Sequence, residues 1–397
     1  MGILSYKHTL AASYFGYVTQ AIVNNLGPLL FLTFQRQFGV SLGNLALLVS
    51  LNFAVQLLVD MAAVRHVDRI GYRAAAVAAS IFSTAGLVSL GILPFVLPDP
   101  YMGLVTATVI NAIGGGLLEV IISPIVEALP NDNKAAAMSL LHSFYCWGYV
   151  GVILLSTLYF NLAGITNWRY LPMLWALIPL GNIFLFSFVP LRTLTGEDNA
   201  PVSARTLFTK NSFLLLLLIM ICSGASEQAM SQWASFFAEA GLKVSKTTGD
   251  LLGPCAFAVL MGTVRVFFGL KQEAIKLTRV LTGAGILCIA SYFVTVFSPF
   301  PLLSLAGCAV CGFSVGIMWP GTFSLASKLF PRGGTAMFAI LALAGDAGCA
   351  SGPGLVGLVM DATTLKTGLL AAVVFPLLLA CGVGLLSARA GKGDTPV

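Results

Sequence analysis

Four ionisable residues, Glu119, Glu227, Arg265 and Asp346, interrupt long apolar runs of this sequence. A charge at the centre of a bilayer costs roughly 3 kcal/mol on insertion scales, so such side chains within a membrane helix are functional candidates by default. A low dielectric penalises the ionised form of a carboxyl group, which suits reversible proton binding. Glu119, Glu227 and Asp346 are therefore expected to carry proton coupling. A structural partnership with another interior polar group is the plainer alternative for Glu119.

Around these carboxyls stand side chains that both donate and accept hydrogen bonds, as hydroxyl-rich and zwitterionic solutes require. Tyr17, Gln20 and Asn24 are spaced i, i+3 and i+7, followed by Asn25 and the helix-disturbing pair Gly27-Pro28; Asn52 and Gln56 repeat the theme. Asn111, Gly115, Glu119 and Ser123 recur every four residues, which places them on one helical stripe. His142, Tyr145 and Tyr149 make another. In the run SGASEQAMSQW, Ser223, Glu227 and Ser231 share one line while Gln228 and Gln232 share the next. Trp233, and Trp319 beside Pro320, offer ring faces; an interfacial anchor and ordinary packing are their alternatives. The expected solute-binding set is Gln20, Asn24, Asn25, Asn111, His142 and Tyr145 in the first half, with Glu227, Gln228, Gln232, Trp233 and Trp319 in the second. Asp60, the segment Asp68-Arg69-x-Gly71-x-Arg73 after the second expected helix, and Arg265 are expected to act in gating, as charges that latch in one conformation and release in another.

Membrane helices must position all of these. Of 397 residues, 58% are hydrophobic and 9% charged, with a mean hydropathy of +0.93, too few charges to solvate a globular surface. Apolar periodicity predicts twelve transmembrane helices near residues 9–34, 41–64, 73–95, 101–128, 135–160, 168–191, 211–237, 248–270, 278–297, 301–329, 334–360 and 366–388. Met1 to Lys7 runs into the first of them without an A-x-A-like site, so no cleavable signal is expected. With the amino terminus inside, the cytoplasmic segments hold fifteen Lys and Arg residues and the opposite face five. That bias predicts an inner (plasma) membrane protein with both termini cytoplasmic. The net charge of +6 then reports topology and implies no nucleic-acid partner.

The eight cysteines lie in or beside apolar helices, where thiols pack as small groups, and Cys308-x-x-Cys311 falls on one face of a helix. His8, His66 and His142 sit on different segments, so neither a metal, a cofactor nor an enzymatic centre is expected. No G-x-x-x-x-G-K-[ST] phosphate loop is present. The longest polar stretch, 192–210, divides the chain into an expected amino-terminal six-helix bundle, 1–191, and a carboxy-terminal one, 211–397. Internal similarity agrees: Gly116 and Pro124 are eight residues apart, as are Gly312 and Pro320, and Ala137-Met138 and Ala336-Met337 open the following helices. Such repeats build central sites that open to alternate sides.

Twelve helices in two pseudo-symmetric halves, a central linker and D-R-x-G-x-R after the second helix resemble the major facilitator superfamily, with Val64 where the motif's opening glycine usually stands. Asn24-Asn25-Leu26, Glu119-x-x-x-Ser123-Pro124 and Gly224-x-x-Glu227 with Trp233 are similar to the fucose permease group of sugar to proton symporters. That resemblance implies the major facilitator fold and a proton-binding role for Glu119. The chain departs from the group at Pro28, at or near its first-helix acid, and at Ser123, where it carries asparagine. The function expected is secondary active transport of a small polar, sugar-like solute by alternating access, with protons and membrane lipid as further partners and a monomeric state. A drug or metabolite exporter of the same fold is the rival reading.

Overall fold

The computed structural model describes residues 4–130, 134–191, 204–271, 276–331 and 333–390, and every regular element among them is helical. The chain divides into two compact units, Met1–Gly196 and Glu197–Val397. In the first unit, α1 spans Tyr6–Asn25 and continues through a tight turn, Pro28–Leu30, into Phe31–Phe38. It is followed by α2 (Leu42–Ile70), α3 (Tyr72–Val96), α4 (Pro100–Glu127), α5 (Lys134–Ala163) and α6 (Tyr170–Phe188). The second unit holds α7 (Asn211–Phe236), α8 (Lys246–Gly269), α9 (Leu277–Phe297), α10 (Pro301–Leu329), α11 (Gly334–Ala362) and α12 (Leu365–Ala388). Eleven of these spans are long and apolar enough to cross a membrane; α1, which carries Gln20, Asn24 and Asn25 in twenty residues, completes the twelve. Of the stretch 192–210, residues 192–203 lie outside the described residues and Ala204–Phe208 form a short helix.

Three boundaries differ from the expected ones for identifiable reasons. The second helix was expected to end near residue 64, with Asp68-Arg69 following it. It runs on to Ile70 because nothing earlier breaks it, and Gly71 at φ +89° ends it, so Arg69 lies in its last turn. The first helix is interrupted at Leu26 and Gly27, ahead of Pro28. The tenth is interrupted at Gly316 and Ile317, four and three residues before Pro320, whose missing N–H leaves the Gly316 carbonyl without its helical partner.

In each unit the helices meet through glycines. In α4, a Cβ on Gly114 would strike Ser83 of α3, and one on Gly116 would lie 2.9 Å from the Gln56 carbonyl oxygen of α2. In the second unit, a Cβ on Gly312 of α10 would overlap the Phe257 carbonyl of α8. The repeated glycine thus does the same work twice, bringing the fourth helix of each unit against the second. In the same way α7 and α11 touch backbone to backbone at Gly224, Gly348 and Gly352. One end of the first unit is closed by an aromatic group in which Trp168 packs edge-on to Phe34 and Phe38, donates Nε1–H to Gln37 Oε1 at 2.7 Å, and tilts against Phe95.

Because no atom can move out of the way where Gly348 abuts the Ile221 carbonyl, Gly348→Leu is expected to destabilise the protein by about 1–3 kcal/mol or more. Thermal unfolding of the purified protein checks this: the midpoint should fall for Gly348→Leu and stay unchanged for Gly384→Leu, where a Cβ meets open space.

Candidate functional site

Each unit contains a polar cluster that its apolar helices enclose. In the first unit, Gln20 of α1 is 4% exposed and sits between two partners. Its Nε2 donates to Glu119 Oε2 at 2.9 Å and to Gln56 Oε1 at 3.0 Å. Gln56 Nε2 in turn donates to Asn24 Oδ1 at 2.8 Å, and the same oxygen accepts from Asn52 Nδ2 at 3.0 Å. Three helices, α1, α2 and α4, therefore share one hydrogen-bonded chain. Gly115 and Gly116 permit it, because Cβ atoms there would lie 3.2 Å from the Gln56 amide and 3.0 Å from its Cα.

Among the described residues no basic side chain pairs with Glu119. One helical turn beyond it, Ser123 Oγ shares a 3.2 Å hydrogen bond with the Tyr17 hydroxyl, and the Tyr17 ring packs edge-on to His142 of α5. Asn25 Nδ2 donates to the Ala21 carbonyl at 2.9 Å and to the Tyr145 hydroxyl at 3.4 Å. Asn111 is buried two turns from Glu119 along α4. Gln20 Oε1, Asn25 Oδ1 and Asn111 Oδ1 are buried acceptors with no donor among the described residues.

The second unit holds a cluster of different chemistry. Glu227 of α7, almost fully buried, meets Arg265 of α8, with Oε2 and Nη2 2.7 Å apart. Gln228 Nε2 lies 3.3 Å from Glu227 Oε1, and Gln232 Nε2 donates to Gln228 Oε1 at 3.0 Å. Arg265 Nε donates at 3.4 Å to the carbonyl of Gly316, the group that Pro320 deprives of its helical N–H. The guanidinium thus serves a carboxylate and a broken helix together. The Trp319 ring packs on Gly345 of α11, where a Cβ would overlap it, and the neighbouring Asp346 is buried. Trp233 is fully buried and its indole N–H donates to the Pro353 carbonyl at 3.0 Å, so it ties α7 to α11.

The residues expected to gate are held separately. Asp60 is buried one turn beyond Gln56 on α2, Arg69 is exposed, and the Asp68 side chain lies outside the described residues. Arg73 caps α6, donating to the carbonyls of Phe186 at 2.8 Å, Ser187 at 2.7 Å and Val189 at 2.8 Å. Arg265, expected among the gating charges, lies in the Glu227 cluster.

Sequence reasoning missed a group around Asp250. This residue is completely buried, accepts from Ser235 Oγ at 2.5 Å and pairs at 2.9 Å with Lys246, which also meets Glu239 at 3.0 Å. Wider π turns at Phe237–Gly241 and Leu251–Cys255 flank it. The i, i+4 spacing of Lys246 and Asp250 at a helix start was the available signal. Cys311, paired in sequence with Cys308, meets Cys288 of α9 across the helix interface, with the sulfurs 3.8 Å apart.

Apolar helices in two units, with carboxyls, amides and a guanidinium held inside them, define a polytopic membrane transporter. The profile of the Major Facilitator Superfamily matches residues 11–353, and the chain belongs to that superfamily. Among solved structures it is similar to a bacterial homolog of the human lysosomal transporter Spinster in an inward-facing, unoccupied conformation: TM-score 0.79, 14% identity, 99% of each chain covered. It is also similar to a variant of the E. coli fucose:proton symporter FucP: TM-score 0.65, 16% identity, 95% of this chain and 98% of that one covered. At these identities the likeness is one of fold. No curated protein matches the chain in sequence. The protein is therefore a multi-pass membrane protein of a transporter family, and its substrate class is small molecules.

Removing one partner of a buried ion pair leaves the other charge uncompensated, which costs about 3–5 kcal/mol in full burial. Arg265 is partly exposed, so Arg265→Met should fall toward the lower end. Thermal unfolding should rank Arg265→Met below the double variant Glu227→Gln/Arg265→Met, which leaves no stranded carboxylate.

Proposed function

We propose that this protein is a proton-coupled secondary transporter that takes up a small, hydroxyl-rich solute by alternating access, with Glu119 as the proton-binding group. One observation carries the reading: Glu119 sits in a membrane helix held by the amide of Gln20 and by no cation among the described residues. A carboxyl so placed can be neutralised by a proton without stranding a partner. Glu227 is the contrast, because protonating it would remove the charge that faces Arg265; its ion pair suits a solute hydroxyl that bridges the two. Asp346 is a further candidate for the proton.

The proposed solute contacts are Gln20, Asn24, Asn25 and Asn111 in the first unit and Glu227, Gln228 and Gln232 in the second. The acceptors at Gln20, Asn25 and Asn111 that no donor among the described residues meets favour a ligand that donates several hydrogen bonds, as a sugar does. His142, Tyr145 and Trp319 are kept as contacts on a sugar ring or its hydroxyls. The basic residues predict cytoplasmic termini in the plasma (inner) membrane, and the protein acts as a monomer.

The test begins with thermal stabilisation of the purified protein by hexoses, pentoses, amino acids, nucleosides, organic acids and lipophilic cations at two pH values. A sugar that stabilises, less so at high pH, is the expected result, whereas stabilisation by lipophilic cations alone overturns uptake in favour of efflux. With the stabilising sugar, vesicles carrying the protein should accumulate it when the outside is acidified. Glu119→Gln should abolish that accumulation and retain exchange of sugar for sugar. Full pH-driven accumulation by Glu119→Gln overturns the assignment of the proton.

A further inference from the structure

The chain of amides beside Glu119 has a direction. Gln20 Nε2 gives hydrogen bonds to both Glu119 Oε2 and Gln56 Oε1, while Gln20 Oε1 is buried and accepts none from the described residues. Asn24 Oδ1 accepts two, from Gln56 Nε2 and Asn52 Nδ2. This order suits an ionised Glu119, which only accepts. A protonated carboxyl adds an O–H donor, and a buried donor needs an acceptor. Primary amides can answer it, because half a turn of the terminal group exchanges acceptor and donor within the same volume.

We propose that Gln20 is the positioning residue that converts protonation of Glu119 into a reversal of the amide chain Gln20, Gln56, Asn24 and Asn52. A proton from water forms one O–H bond on Glu119, and no other covalent bond changes. Gln20 turns, and its Oε1 accepts from the new O–H. Gln56 turns in response, so that its Nε2 donates to Gln20 Oε1. Asn24 then donates through Nδ2 to Gln56 Oε1 and to Asn52 Oδ1. The four hydrogen bonds of the ionised order become four in the protonated order, so the direction changes and the number does not. On α1 the chain reaches Asn24, two residues before the interruption at Leu26 and Gly27. Proton arrival on α4 is thereby reported at the break in α1. This inference rests on the proton-binding role given to Glu119 above.

Other titratable groups on the helices around Glu119 include Tyr17 of α1, hydrogen-bonded to Ser123; Asp60 of α2, beyond Gln56; and His142 and Tyr145 of α5. Along α4 itself Glu127 lies two turns away, and on α3 the nearest charge is Arg73, engaged at the end of α6.

The test is infrared difference spectroscopy during pH titration of the full chain in phosphatidylcholine vesicles, with and without glutamine carrying carbon-13 at its side-chain carbonyl. Acidification should bring up a protonated-carboxyl band that Glu119→Gln loses and that Asp60→Asn and His142→Gln keep. A glutamine carbonyl band, identified by its isotope shift, should change with the same midpoint. Gln20→Met should lose the glutamine change and keep the carboxyl band. A Glu119 band without a glutamine change, or a glutamine change that survives in Gln20→Met, overturns this inference and leaves the proton assignment standing. Absence of any Glu119 band overturns both. The labelled natural sequence decides between these even where Gln20→Met fails to fold.

Discussion

Hydrocarbon offers no water to complete a backbone hydrogen bond, so every N–H and C=O at membrane depth must find its partner within the protein. Proline breaks that rule one turn earlier, by withholding the N–H that the carbonyl four residues before it expects. At Pro320 the exposed carbonyl belongs to Gly316, and Arg265 reaches it from α8. At the end of α6, three carbonyls beyond helical reach are met by the single guanidinium of Arg73. Arg265 reads as a signal in the sequence because a charge within an apolar run is costly. The structure shows what each arginine satisfies. Arginine suits the task because its planar fork holds several donors at fixed angles.

The same absence of water makes helix association depend on close packing, and the glycines set how near the polar side chains can come. With a side chain at Gly116, α2 would stand off from α4, and Gln56 would no longer reach Gln20, nor Gln20 span Gln56 and Glu119. The amide chain is thus a consequence of glycine packing as much as of the amides themselves. Gly312 and Phe257 repeat the contact in the second unit, where the polar cluster it accompanies is ionic.

The twelve helices were legible because a span of some twenty apolar residues has few other uses in a protein this poor in charge. The four-residue stripe from Asn111 to Ser123 was legible as well, since Glu119 and Ser123 meet α1 side by side through Gln20 and Tyr17. The pairing of Glu227 with Arg265 was not, because periodicity orders residues along one helix and says nothing about which neighbouring helix supplies the counter-charge. Nor was the work of Arg73: a basic residue after a helix reads as a topological charge, and its carbonyl partners lie more than a hundred positions away. Asp250 escaped notice because a carboxylate in the first turn of a span looks solvated, whereas the π turns on either side fold it inward against Ser235 and Lys246. Trp233, an aromatic among amides that suggests a solute platform, also has a packing role that periodicity does not reveal: its indole N–H donates to the Pro353 carbonyl.

What remains is the reason for two carboxyls of different kind. An ion pair in a low dielectric holds its geometry firmly, since either partner alone would be stranded. Glu227 is fixed by Arg265, and Arg265 is fixed in turn by the Gly316 carbonyl, so α7, α8 and the interruption of α10 are joined through one side chain. A neutral amide makes no such demand. Gln20 can bond either form of a carboxyl by presenting one end or the other, and it is itself tied to α2 through Gln56. The ionic cluster therefore links three helices at a break through paired charges, whereas the amide cluster joins α1, α2 and α4 through neutral groups and reaches Asn24, two residues before a break of its own in α1.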